Sequence, residues 1–211
     1  MPKFRIVLFF ILLSGPLFAQ PPGFKVLTDT AGFRSSLAAA AKEIKTIESD
    51  FVQEKNLSVL SEKIISKGHF IFKKENKLRW EYNHPFKYLI VMNNNKVLIK
   101  DENKENKYDM KSNKLFQEIN SLMINSVQGN ILNNKDYKPA FFYNDNYFLV
   151  QLFPQNKNLK GFLQSIDLYF DKKDLSVTKI IMAEPSGDYT NITFSAKKFN
   201  GEIADEKFNI K

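Results

Sequence analysis

Gly68-His69-Phe70-Ile71-Phe72-Lys73-Lys74-Glu75-Asn76-Lys77-Leu78-Arg79-Trp80-Glu81-Tyr82-Asn83-His84-Pro85 is the stretch that decides the architecture. Phe70 and Phe72 alternate with His69 and Ile71. After Glu75-Asn76, Leu78, Trp80 and Tyr82 alternate with Arg79 and Glu81. A period of two places successive side chains on opposite faces of a strand. Asn beside a charged residue is turn chemistry. The stretch therefore predicts an antiparallel hairpin, with strands over 63–74 and 77–82, closed off by Asn83-His84-Pro85.

The same signals continue on both sides. Strands are expected over 49–57, 87–92, 96–101 and 107–110, and again over 147–153, 162–170, 176–184 and 188–199, with a last short one near Phe208. Asn93-Asn94-Asn95, the run from Glu102 to Asn106 and Asp171-Lys172-Lys173-Asp174 supply the turns. Short connections make neighbouring strands antiparallel. Two helices interrupt the meander. Asp29 or Thr30 caps the first, which is expected to run to about Ile47 with Phe33, Leu37, Ala40, Ala41, Ile44 and Ile47 on one face. The second is expected from Lys114 to Gln128, with Leu115, Ile119, Leu122, Met123 and Val127 aligned and Gly129 as its stop. The polar run from Asn130 to Ala140 reads as a loop. The sum is a mainly β protein with helices (α+β). A sheet of ten or eleven strands tends to curl, and one-sided helices suit its concave face.

At the amino terminus, Lys3 and Arg5 precede an apolar run from Ile6 that is broken by Ser14, Gly15 and Pro16, with Ala19 before Gln20. This is the layout of a cleaved secretory signal peptide over residues 1–19, too short to span a bilayer. Residues 20–211 are then expected to form one exported domain. The chain lacks Cys, and a domain of this size needs no disulfides. The net charge is +8, from 31 Lys and Arg against 23 Asp and Glu, but the basic residues are scattered among acidic ones. Neither a basic run nor a nucleic-acid motif is present, so no nucleic-acid partner is expected. His69 and His84 are the two histidines; neither sits in a metal-spaced cluster. There is no G-x-S-x-G, P-loop or dinucleotide fingerprint, so the chain reads as a non-enzyme without metal or cofactor.

Several strands are apolar on both faces, a pattern that fits a filled core and a vacant pocket equally well. The order of motifs narrows the choice. A helix is followed by Phe51-Val52-Gln53, then Gly68-His69-Phe70, then Arg79-Trp80-Glu81-Tyr82 ending at Pro85, then Tyr88 to Val97 with its Asn-rich tip. Ser165 to Phe170, Val177 to Glu184, Gly187-Asp188, Asn191 to Phe194 and Asn200 to Phe208 continue in matching order. This succession resembles the outer-membrane lipoprotein carrier (LolA-like) family over nearly all of residues 20–211.

The resemblance implies an incomplete antiparallel barrel whose helices cover an apolar cavity. It places Leu78, Trp80, Tyr82, Leu122 and Met123 on that cavity. The alternating rows add Phe70, Phe72, Leu89, Val91, Leu168, Phe170, Met182 and Phe194 as expected lining. It implies a monomeric periplasmic carrier of lipoprotein acyl chains. Such a carrier is loaded by an inner-membrane lipoprotein-releasing transporter and unloaded on an outer-membrane acceptor. The alternative on the same fold is a carrier or sensor for another lipid or apolar molecule. Well-known members hold their lid with an Arg in the strand before the Arg-Trp turn. The nearest residue here is Lys74, a point charge without the planar fork of a guanidinium. The latch is therefore expected to be weaker, or built from other residues.

Overall fold

The computed structural model describes residues 20–74, 76–109 and 130–210. Both the 1–19 segment and the expected 114–128 helix lie outside the described residues. Twelve strands form one sheet: β1 (Lys25–Val26), β2 (Thr46–Asn56), β3 (Ile64–Lys73), β4 (Lys77–His84), β5 (Tyr88–Asn93), β6 (Lys96–Lys100), β7 (Glu105–Asp109), β8 (Tyr137–Tyr143), β9 (Tyr147–Pro154), β10 (Ser165–Asp171), β11 (Val177–Ala183) and β12 (Tyr189–Phe199). Their spatial order is β1-β8-β9-β10-β11-β12-β2-β3-β4-β5-β6-β7, and every pairing is antiparallel. The end strands β1 and β7 do not pair with each other, so the barrel is incomplete, as expected.

Strand β8 escapes the sequence pattern, and one expected strand does not form. β8 begins inside the run read as a loop, because Pro139 masks it. Pro139 faces Leu152 of β9, while β1 reaches only Tyr143 and Phe142 on the other side. Proline, which has no N–H to donate, is tolerated where one flank of a strand is open. The segment near Phe208 is a short 3-10 turn, Asp205–Phe208, and not a strand.

Helix α1 spans Thr30–Glu43, capped by the Asp29 carboxylate, which accepts the Gly32 N–H at 2.8 Å. It ends four residues before the expected Ile47. Ile44 is already extended, and Ile47 is taken into β2, between Phe72 of β3 and Phe199 of β12. Ladder pairing on both sides outweighs the helical period of two β-branched residues. Phe33, Leu37 and Ala41 form the buried face of α1. Phe33 meets the rings of Phe148 at 4.7 Å, Phe170 at 5.8 Å and Phe141 at 6.2 Å.

One large cluster fills the inner face. It joins Phe33 and Leu37 to Phe72, Leu78, Trp80, Val150, Leu152, Leu168 and Phe170, from strands that are far apart in sheet order. A single apolar patch linking such distant strands requires the sheet to curl around it. A second cluster lies on the outer face, where Ile203 and Phe208 of the C-terminal segment cover Ile71, Val91 and Leu98.

Gly68 shows how tightly the β2–β4 corner is built. A Cβ there would lie 2.0 Å from the Glu81 carbonyl and 2.6 Å from Phe51 Cζ. The β3–β4 register also shifts between Lys67 and Gly68. Neither backbone nor buried ring can yield cheaply, so Gly68→Ala is expected to destabilise by about 2–3 kcal/mol. A urea midpoint equal to the wild type's would contradict this packing.

Candidate functional site

A pocket of about 750 Å³, counting its open mouth, lies between α1 and the inner face of the sheet. Leu37, Ala40 and Ala41 of α1 roof it, with Ile44 just beyond the helix end. Ile47, Ser49 and Phe70 form one wall, Leu175 to Val177 and Ile180 another, and Phe194, Lys197 and Phe199 of β12 the third. The roof is made of small residues where the helix crosses the opening. Alanine at positions 40 and 41 leaves volume that a Leu would occupy.

The roof is fastened by polar contacts at both ends. At its carboxyl end, Lys74 Nζ donates to the Lys42 carbonyl. Asn200 Nδ2 donates to the Glu43 carbonyl at 3.0 Å, and its Oδ1 accepts the Lys45 N–H at 2.7 Å. These groups occupy carbonyls that the helix end leaves unpaired. Near the amino end, Arg34 Nη1 donates to the Leu132 carbonyl at 2.6 Å and lies 4.8 Å from the Phe141 ring centre. Leu132 belongs to a 3-10 turn, Asn130–Asn133, whose Ile131 and Leu132 are buried. Helical periodicity sets Arg34 off the apolar row of Phe33, Leu37 and Ala41. Its long-range partner, ninety-eight residues on, leaves no trace in the local sequence.

Of the expected lining residues, Phe70 and Phe194 border the pocket. Phe72, Leu78, Trp80, Leu168 and Phe170 are buried in the packed core beside it, and Tyr82 and Met182 are half-buried at the margin of that core. Tyr82 Oη donates to Gln53 Oε1 at 2.9 Å, and burial pushes its hydroxyl pKa up. Leu89 and Val91 require correction. Trp80 faces Ile90 and Leu78 faces Met92, so Leu89 and Val91 share the opposite face with Arg79 and Glu81. They pack in the outer cluster, away from the pocket. Leu122 and Met123 lie outside the described residues.

The polar part of the pocket was not anticipated. Lys197 Nζ donates to Ser176 Oγ, which in turn donates to Asp174 Oδ1 at 2.6 Å. Burial pushes the Lys197 pKa down, opposed by the Asp174 and Asp171 carboxylates. Burial alone raises the Asp174 carboxyl, but the Ser176 hydroxyl and N–H outweigh it and hold it below the usual range. Five non-glycine residues among those described have positive φ. Three are Asn, which tolerates that region; the other two, Leu175 at 57° and Ala196 at 50°, flank the pocket. Each such residue costs about 1–2 kcal/mol. Backbone strain of this kind concentrates at functional sites.

His69 lies on the outer face, 2.8 Å from Asp50 Oδ1 and 2.9 Å from Glu48 Oε1. Among the described residues no group of three or more His, Cys, Asp or Glu is arranged to hold a metal ion.

A family model described as outer membrane lipoprotein carrier protein LolA matches residues 42–211. Among solved structures, MucB, also solved as the Pseudomonas aeruginosa MucA/MucB complex, is 12% identical with a TM-score of 0.52. That likeness covers 86% of this chain and 62% of MucB, so the chain spans less than two thirds of MucB. An uncharacterized conserved protein from Thermus thermophilus is 8% identical with a TM-score of 0.51, covering 84% of this chain and 91% of the other. A LolA superfamily protein from Nitrosomonas europaea is 12% identical with a TM-score of 0.45, over 84% and 97% of the two chains. At these identities the likeness is one of fold. No curated protein matches the chain by sequence.

Proposed function

Since the chain belongs to the family of the outer membrane lipoprotein carrier protein LolA, we propose that it is a periplasmic carrier that holds lipoprotein acyl chains in the pocket under α1. Residues 1–19 are then a removed export signal and 20–211 one carrier domain. An inner-membrane lipoprotein-releasing transporter would supply the cargo and an outer-membrane acceptor would receive it. The observation that carries the reading is an apolar pocket roofed by a helix with small residues over the opening. The helix ends are held by a few side-chain contacts, which suits a roof that lifts.

The magnitudes favour a lid over a rigid cavity. Burying ten methylenes gains about 8 kcal/mol, about micromolar affinity before the roof is lifted. Lifting α1 gives up burial of Phe33 and Leu37, about 1.5–3 kcal/mol each. That loss offsets much of the gain and brings net affinity into a range from which an acceptor can draw the chain. The Lys74 contact to the last turn of α1 is the proposed latch, one point contact where other members use a guanidinium fork. The scheme needs no nucleophile, metal or nucleotide.

Filling the pocket tests the reading. Ala40→Trp combined with Val177→Phe is expected to fold with wild-type circular dichroism and to lower uptake of a fluorescent fatty-acyl probe by at least about tenfold, roughly 1.4 kcal/mol. Undiminished uptake by the folded double variant would place acyl binding elsewhere. Mass spectrometry of lipid bound to the protein purified from the periplasm separates the cargo classes: a lipoprotein supports the proposal, a free lipid the alternative.

A further inference from the structure

We infer that the pocket under α1 reads the oxygen-bearing end of its acyl ligand through Lys197. The inference rests on the reading just given, that this pocket takes acyl chains, and adds what lies at the head of the chain.

The first observation is a re-aimed side chain. Phe194 of β12 faces Phe51, and Ser195 faces Asp50. Pairing then shifts and resumes at Lys198 opposite Glu48 and Phe199 opposite Ile47. Two residues, Ala196 and Lys197, thus oppose Ser49 alone. Such a bulge redirects side chains, and bulges gather beside functional sites. Without it, alternation from Phe194 would turn residue 197 away from the pocket. With it, Phe194, Lys197 and Phe199 all line the pocket. The bulge is formed by an alanine in the left-handed region, where glycine is the unstrained choice.

The second observation is chemical. An ammonium among Leu37, Ile44, Val177 and Phe199 is a poor contributor to an apolar wall, since desolvation works against its charge. A Met or Leu would pack there without that penalty. Lys197 instead runs its aliphatic stem along the wall and presents its head beside Ser176. The Ser176–Asp174 contact orients that head. Asp174 and Asp171 already balance the lysine charge, so the partner need not be a full anion. The matching group is an acceptor oxygen at the end of a hydrocarbon chain, either an ester or amide carbonyl or a carboxylate.

The test uses three ligands of one chain length, palmitate, methyl palmitate and hexadecane. They compete for N-phenylnaphthylamine on the wild type and on Lys197→Met. The wild type is expected to prefer the oxygenated ligands over hexadecane by about tenfold, in line with a hydrogen bond to a charged donor. In Lys197→Met that preference is expected to collapse toward unity. Loss for palmitate and methyl palmitate together assigns the carbonyl; loss for palmitate alone assigns the carboxylate. An unchanged preference, or an equal fall for all three ligands as a merely structural tie would produce, overturns the inference while leaving the carrier reading intact. Should the variant not fold, a wild-type ratio near unity overturns it equally. Failure of every ligand to displace the dye from the wild type would instead remove the carrier reading itself.

Discussion

Trp80→Glu is expected to abolish cooperative folding at neutral pH, and not merely to weaken ligand uptake. Trp80 is 5% exposed and sits in an aromatic nest. Its ring centre is 4.5 Å from Phe51, 5.3 Å from Phe70 and 6.0 Å from Phe194. None of these neighbours carries a charge. Truncating such a ring removes about 3–5 kcal/mol. A carboxylate in its place adds a desolvation penalty of several kcal/mol more, or stays protonated at a similar expense. The sum is comparable to the whole stability of an ordinary domain, about 5–15 kcal/mol. A sequence-level expectation that residue 80 faces an open cavity predicts the reverse, a folded protein with impaired binding. Thermal denaturation followed by near-ultraviolet circular dichroism separates the two. A sharp transition near the wild-type temperature would show that Trp80 borders empty space.

Phe208→Ala should be the most damaging single truncation on the outer face, at about 3–5 kcal/mol. Phe208 is fully buried although it lies in the last few residues of the chain. It packs with Ile203 on Ile71, Val91 and Leu98. The segment is guided there by polar contacts: Lys73 Nζ donates to the Ile203 carbonyl at 2.8 Å and to Asp205 Oδ1 at 2.6 Å, and Asn93 Nδ2 donates to the Phe208 carbonyl at 3.1 Å. The exposed Lys73–Asp205 ion pair contributes little by itself. The buried ring carries the attachment. Denaturant titration is expected to show a lower midpoint together with earlier amide exchange in β4 and β5. A change below about 1 kcal/mol would mean that the C-terminal segment rests on the sheet without supporting it.

How much was legible locally is best judged from particular residues. Hairpin β3–β4 was readable because its period, its turn and its flanking Pro all agree. β5 was not. Tyr88-Leu89-Ile90-Val91-Met92 is apolar at every position, and a strand without alternation does not say which face is inner. The register with β4 settles it, and the outer face is apolar because Ile203 and Phe208 cover it. The outward face of a strand and its distant cover are one feature in space but two unrelated stretches in sequence. Lys74 was identified as the nearest counterpart of a latch, and its contact with α1 is present. Asn200 and Arg34, which hold the same helix, were not singled out, since their partners lie in remote segments.

By itself the sequence determined the antiparallel meander, the amphipathic first helix and the family, because periodicity, turn residues and motif order are local properties repeated along the chain. Tertiary structure alone decided where empty space remains and what faces it. Vacancy is the difference between the volume the curled sheet encloses and the volume its side chains fill, and no stretch of residues encodes that difference. The inward turn of Lys197 depends on one unpaired residue in the β12 ladder, and a shift of one residue reverses every side chain beyond it.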